Sequence, residues 1–202
     1  MIEKKKIGDL KIKITTGQIM SRVKANEDRN DEVIEVRKVV IPKSITGDGS
    51  LLLEEMPEEK LKIVADEKRL TQKGDIVLKL STPYDAGMVD EATSGCLVPS
   101  FCAIVKNEDN IDNDYLLAFL NSDYCKKQLE SQVTGLTMTV LSVGKVKEVE
   151  IPLPTTEKQI EVGQAFHDAQ KRLRLLRQIE ELEQKRNDAM FYKIEKEDHP
   201  NA

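Results

Sequence analysis

Along the first two thirds of the chain, apolar positions recur in short β-like runs. Toward the end they recur at helical spacing. Residues 6–16 alternate apolar and polar over Leu10, Ile12 and Ile14, the pattern of a half-buried strand that Gly17 breaks. Residues 33–41 are rich in Val and Ile and stop at Pro42, which predicts a second strand. Thr46-Gly47-Asp48-Gly49-Ser50 predicts a turn, and the mixed charges of 54–69 predict a loop opened by Pro57. Asp75–Leu80 reads as a buried strand after the Lys73-Gly74 turn, residues 81–87 as a loop, and 97–105 as β-like with Pro99 at a bulge or edge. A helix is expected near Asn113 or Asp114, either of which could cap it. A second helix is expected from Ser122-Asp123 through Leu129, then a polar loop over 134–139 around Gly135. Ser142 can cap one short turn before a final strand at Val149.

At Ile151-Pro152-Leu153-Pro154 the β-like pattern stops. Both prolines have a fixed φ and no N–H, so the sequence predicts that neither strand nor helix runs through them. Thr156 and Gln159 have capping-box spacing, and Glu157 sits where a helix dipole favours an anion. No proline follows until beyond Ile194, which predicts roughly 38 helical residues, about 57 Å of helix. Val162, Phe166, Ala169, Leu173 and Leu176 form a heptad seam, which Ile179, Leu182 and Ala189 continue at shifted spacing. The adjoining run of Lys171, Arg172, Arg174 and Arg177, then Glu180, Glu181 and Glu183, reads as the solvated face of a coiled coil.

Strands first and helices later, without a βαβ rhythm, predict an α+β fold. The expected organisation is a β-rich globular domain at 1–154, a coiled-coil helix at 155–194 and a disordered tail at 195–202. A length of 202 residues suits one such domain plus an extension. No apolar run approaches the ~18 residues of a membrane span and no signal-like core follows Lys4-Lys5-Lys6, so a cytoplasmic protein with no membrane partner is expected. Cys96, Cys102 and Cys125 lack metal-ligand spacing and read as buried free thiols.

Enzyme signatures are sparse. The sequence contains neither G-x-G-x-x-G nor G-x-x-x-x-G-K-[ST]. His167 and His199 are the only histidines and lie in the helix and the tail, which argues against a histidine-based nucleophile or a zinc site. Glu58-Glu59-Lys60 and Asp66-Glu67-Lys68 match the acid-x-Lys ending of some nucleases, a tripeptide that arises by chance in a chain 33% charged. The chain is therefore expected to be non-catalytic, with no cofactor or metal of its own.

Several short motifs, in order, resemble the specificity subunit of type I restriction-modification enzymes. They are Ile7-Gly8-Asp9-Leu10 with Thr16-Gly17, Gly74-Asp75-Ile76-Val77-Leu78, Asp114 to Ser122, Leu141-Ser142 with Lys145-Val146, and Ile151-Pro-Leu-Pro with Glu157 and Gln159. A full-length subunit of that family resembles two such units in tandem, so this chain resembles a half-subunit or an excised half. The resemblance implies a target recognition domain followed by a spacer helix. It also implies double-stranded DNA as ligand, and methylation and restriction subunits as partners. S-adenosylmethionine, ATP and magnesium would belong to those partners.

The resemblance places DNA contacts in three polar loops. The candidates are Gln18, Ser21, Arg22 and Lys24 in the first, Lys79, Ser81, Thr82 and Tyr84 in the second, and Thr134, Thr137 and Thr139 in the third, with Lys145 beyond it. Ser, Thr and Gly at these places also read simply as turn formers. Homodimerisation is expected through Phe166, Leu173, Leu176, Ile179 and Leu182. Charge pulls the other way. The net charge is -5 and no segment is strongly basic, so modest affinity for DNA is expected without partner subunits. The acidic balance supports a rival reading, a protein-interaction adaptor that assembles partners through its helix.

Overall fold

The computed structural model describes residues 2–133 and 140–198, with Glu27 and 193–198 by backbone only. The chain divides into two units, one up to Gln164 and one from Ala165 onward.

The first unit is built on a four-stranded antiparallel sheet of order β2-β7-β5-β6. Its strands are β2 (Ile12–Thr16), β5 (Ile76–Lys79), β6 (Ala86–Met88) and β7 (Cys102–Asn107). All four residues of β5 are buried, as expected for a central strand. Val77, Cys102 and Ile104 pack in a core with Val40, Ile45, Leu51, Met56, Val89, Cys96 and Val98. All three cysteines are free and buried. Burial pushes the Cys102 and Cys125 thiols up to about 12, so both stay protonated and unreactive near neutral pH.

Two further ribbons flank the sheet. β1 (Glu3–Lys6) pairs with β8 (Glu150–Leu153), and β3 (Glu35–Lys38) pairs with β4 (Glu58–Leu61). Three expectations change here. The strand expected over 6–16 is β2 alone, because Ile7–Asp9 forms a 3-10 turn. The charged stretch expected as a loop contains β4, whose Leu61 is fully buried with Val23, Val39, Ala65 and Leu97. β8 also runs through Pro152. Its carbonyl accepts from the Tyr115 hydroxyl at 2.5 Å, so the missing N–H lies on the side away from β1 and no ladder bond is lost.

Helices follow their caps. α1 (Met20–Val23) is a single turn. α2 (Asn113–Asn121) is capped by Asp112, one position before the expected residues, with the Tyr115 N–H donating to its carboxylate. Leu116, Leu117 and Leu120 are buried to within about one per cent, each contributing about 1.5–3 kcal/mol. Ser122 caps α3 (Asp123–Ser131) and Ser142 caps α4 (Val143–Lys147), as expected.

α5 (Thr156–Asp198) extends past the expected end near Ile194 and into the stretch expected as a tail. Its cap is Thr155 rather than Thr156: the Lys158 N–H donates to the Thr155 hydroxyl and the Gln159 N–H to the Thr155 carbonyl. The Gln159 side-chain oxygen is turned to α2 rather than to the Thr156 N–H. Buried, the side chain accepts from the Asp112 N–H and donates to the Pro154 carbonyl, both at 3.0 Å. Gly163 allows α5 to approach α2, since a Cβ there would stand 2.7 Å from that of Asp114. The first turns of α5 thus belong to the globular unit. No helix among the described residues is long and apolar enough to cross a membrane.

Candidate nucleic-acid interface

Strand direction gathers the predicted loops. Thr16 ends β2 opposite Ala103, Lys79 ends β5 opposite Cys102, and β6 begins at Ala86 opposite Leu78. The segments after β2 and β5 therefore leave from the same edge of the sheet, on either side of the turn that enters β7.

Main-chain hydrogen bonds fix both segments to that turn. The Gly17 N–H donates to Cys102 and the Gln18 N–H to Val98, while the Ser100 N–H donates back to Gln18. Gly17 is required, because a Cβ would collide with the carbonyl oxygens of Val98 and Pro99. Arg69 closes the same corner, donating to the Gly17 carbonyl at 2.5 Å. In the second segment the Leu80 N–H donates to Phe101, and the Leu141 N–H donates to Leu80 at 2.6 Å. That last bond brings Leu141 to the side of the second loop. Thr134, Thr137 and Thr139 themselves lie outside the described residues.

The candidates divide by exposure. Ser21, Arg22, Lys24, Thr82 and Lys145 are exposed, and Gln18 and Ser81 are half-buried. Tyr84 is buried, with φ 56° in the left-handed region, a costly conformation for a bulky residue. Lys79 is 8% exposed and its ammonium is committed to Asp85 at 2.9 Å. The DNA contacts expected from Lys79 and Tyr84 are thus not offered by this arrangement, because both side chains are spent inside the fold.

Asp85 and Lys126, which sequence reasoning passed over, complete that site. The Asp85 carboxylate receives Lys79 on one oxygen and Lys126 on the other, at 2.7 Å. Burial opposes its charge, but the two lysines outweigh this and hold its carboxyl below the ordinary value. At the other end of β5 the balance reverses. Burial raises the Asp75 carboxyl, against the Gln72 N–H and the Lys106 ammonium. No local sequence signal marks Lys126, which meets Asp85 only because α3 packs there.

The first loop also borders a cleft of about 730 Å³ lined by Ser21, Lys24, Asn26, Asp28, Arg29, Glu58, Glu59, Lys60 and Lys62. Its cations are partly committed: Lys24 pairs with Glu59 at 2.6 Å and Lys62 with Asp31 at 3.0 Å. Main-chain bonds of Ala25 to Lys60 and of Lys62 to Val23 stitch this loop to β4. Among the described residues no group of three or more His, Cys, Asp or Glu could hold a metal ion.

This arrangement of a sheet, short helices and a long terminal helix is shared with specificity subunits. The HsdS subunit from Thermoanaerobacter tengcongensis superposes with TM-score 0.63 at 18% identity, covering 99% of this chain and 50% of that one. A chain from a study of complex assembly and conformational transition in the type I R-M system gives TM-score 0.67 at 18% identity, with the same coverage. The type IIG restriction endonuclease BpuSI gives TM-score 0.54 at 9% identity, covering 81% of this chain and 26% of its own. At these identities the likeness is one of fold. Comparison with the curated proteins finds no match.

The pattern of the type I restriction modification DNA specificity domain matches residues 2–184, and the chain belongs to that family. It spans half the length of the first two structures it resembles.

Proposed function

We propose that the chain reads DNA sequence as the specificity subunit, or half-subunit, of a cytoplasmic type I restriction-modification system. The observation that supports this reading is the meeting of the first two predicted loops at one end of the sheet, where they flank the turn into β7 and where Leu141 bonds to Leu80. Gln18, Ser81 and Thr82 are the proposed base-reading side chains among the described residues. Arg22, Lys24 and Lys145 are exposed and suited to phosphate.

The chain itself performs no catalysis. Methyl transfer belongs to a methylation subunit carrying S-adenosylmethionine, and cleavage to a restriction subunit using ATP and magnesium. Paired spacer helices hold two recognition units at fixed separation over a bipartite site. The exposure of Leu173, Leu176, Ile179 and Leu182 supports such pairing.

The test is reconstitution with the methylation subunit and mapping of methylated bases on genomic DNA. A single two-part motif is expected. Methylation without sequence preference, or methyl transfer by the chain alone, overturns the reading. A second reading, a protein-interaction adaptor, draws on the exposed Val33, Ile34, Val36, Ile63 and Val64 around β3 and β4, and on the net charge of -5. It predicts no duplex binding even in the complex.

A further inference from the structure

We propose that Asp85 is a positioning residue that presets the 80–84 loop for sequence reading, by drawing Lys79 and Lys126 together at the base of that loop. The inference rests on the DNA-recognition reading above and deepens it, because it gives Lys79 a task other than phosphate contact.

The loop is closed twice by the same two residues. The Lys79 N–H donates to the Asp85 carbonyl at 2.9 Å, and the Lys79 ammonium reaches the Asp85 carboxylate at 2.9 Å. Two bolts then tie the closure to the helices. Lys126 of α3 takes the second carboxylate oxygen at 2.7 Å. Asn121 of α2 accepts from the Ala86 N–H and donates to the Ala86 carbonyl, at 3.0 and 2.9 Å. Inside this frame Tyr84 holds its positive φ and Ser81 accepts from the Tyr84 N–H at 2.8 Å.

Charged groups this deep add little net stability compared with apolar residues of the same shape. They do impose direction: a carboxylate with one ammonium on each oxygen has a single satisfied geometry, and no buried side-chain polar atom among the described residues lacks a partner. The bracket therefore sets where Ser81 and Thr82 stand relative to the turn before β7. A reading loop must hold its donors to within a fraction of an ångström, which a turn pinned only by its main chain does not achieve.

The experiment uses the full chain with the methylation subunit and a pool of duplex oligonucleotides carrying randomised positions. Wild type selects a sequence, and discrimination is the ratio of its affinity to that for a duplex with one base pair changed. Asp85→Asn and the milder Lys126→Gln are each expected to lower discrimination at least tenfold, measured well below their melting temperatures. Leu129→Ala, a buried change in the same helix as Lys126, serves as the control for stability alone and is expected to keep wild-type discrimination.

Because neither lysine touches phosphate in this arrangement, Lys79→Gln and Lys126→Gln leave the salt dependence of binding unchanged. A direct phosphate contact would reduce the log–log slope by about 1 per lysine. The proposal is overturned by unchanged discrimination in Lys126→Gln and Asp85→Asn, by an equal loss in Leu129→Ala, or by a reduced salt slope. If wild type selects no sequence at all, the DNA reading itself falls and this inference with it. Should Asp85→Asn fail to fold, Lys126→Gln decides, since it leaves the Lys79–Asp85 pair in place.

Discussion

Leucine has opposite surroundings in α2 and in the later part of α5. In α2 the apolar positions Leu116, Leu117 and Leu120 are sealed, together with Tyr115, Ala118 and Phe119. In α5 beyond Ala165, Leu173, Leu176 and Leu182 are 45%, 54% and 64% exposed, and Phe191 is 73% exposed. Both helices carry apolar residues at helical spacing, so periodicity does not separate them. The difference teaches that a helical stripe records a demand for a partner, and only the surroundings show whether the chain supplies one.

The comparison is broken most directly by truncating one leucine on each side. Leu117→Ala is expected to destabilise the globular unit by about 2–5 kcal/mol, since it opens a cavity in a sealed core. Leu176→Ala should change it by less than about 0.5 kcal/mol. Hydrogen exchange of α2 amides in the full chain reads both, and equal losses would abolish the distinction.

Charge inside the unit provides the next test, because the two ends of β5 behave oppositely. Asp85, with its carboxyl held low, stabilises the fold at pH values above the ordinary carboxylate value of 3.8. That contribution is lost as pH falls through its lower folded value. Asp75, raised by burial, contributes stability when protonated, which is lost as pH rises through its higher folded value. At neutral pH, Asp85→Asn should therefore destabilise by about 3 kcal/mol, leaving buried ammonium groups unpaired. Asp75→Asn should be neutral or stabilising. Denaturant melts at pH 7 and at pH 2 should show the penalty of Asp85→Asn shrinking in acid, since the loss falls below the ordinary value of 3.8; a pH-independent penalty would remove charge pairing as its cause.

The smallest expected effect on folding is the most informative about the helix. Leu173→Glu with Leu176→Glu should leave the melting of the globular unit unchanged and convert an assembled wild type to monomer in sedimentation. A wild type that is already monomeric at tens of micromolar would remove pairing as the use of this face.

Much of the fold is legible because its signals are local. The Ser122 and Ser142 caps, the apolar run of β5 and the proline-free stretch after Pro154 each state their element within a few residues. β4 is illegible because Glu58-Glu59-Lys60 carries no apolar alternation. It is a strand because β3 on one side and residues 24–25 on the other supply its hydrogen bonds. β6 is only three residues long, too short to carry a period. In the candidate loops, composition singled out Ser21, Arg22, Lys24 and Lys145, which the fold leaves exposed. It could not separate them from Lys79 and Tyr84, because exposure is not a property of residue type.

The sequence by itself determined the α+β class, the long helix and its apolar stripe, and the polar character of the loops, since these follow from periodicity, caps and proline chemistry along one stretch of chain. Tertiary structure alone decided which charges face solvent and which close a loop, that Gln159 links the start of α2 to the start of its own helix, and that segments distant in sequence meet at one end of the sheet. Those outcomes depend on strand direction and on pairs far apart in the chain, such as Asp85 with Lys126 and Leu80 with Leu141, whose energies exist only once the core has brought them within reach.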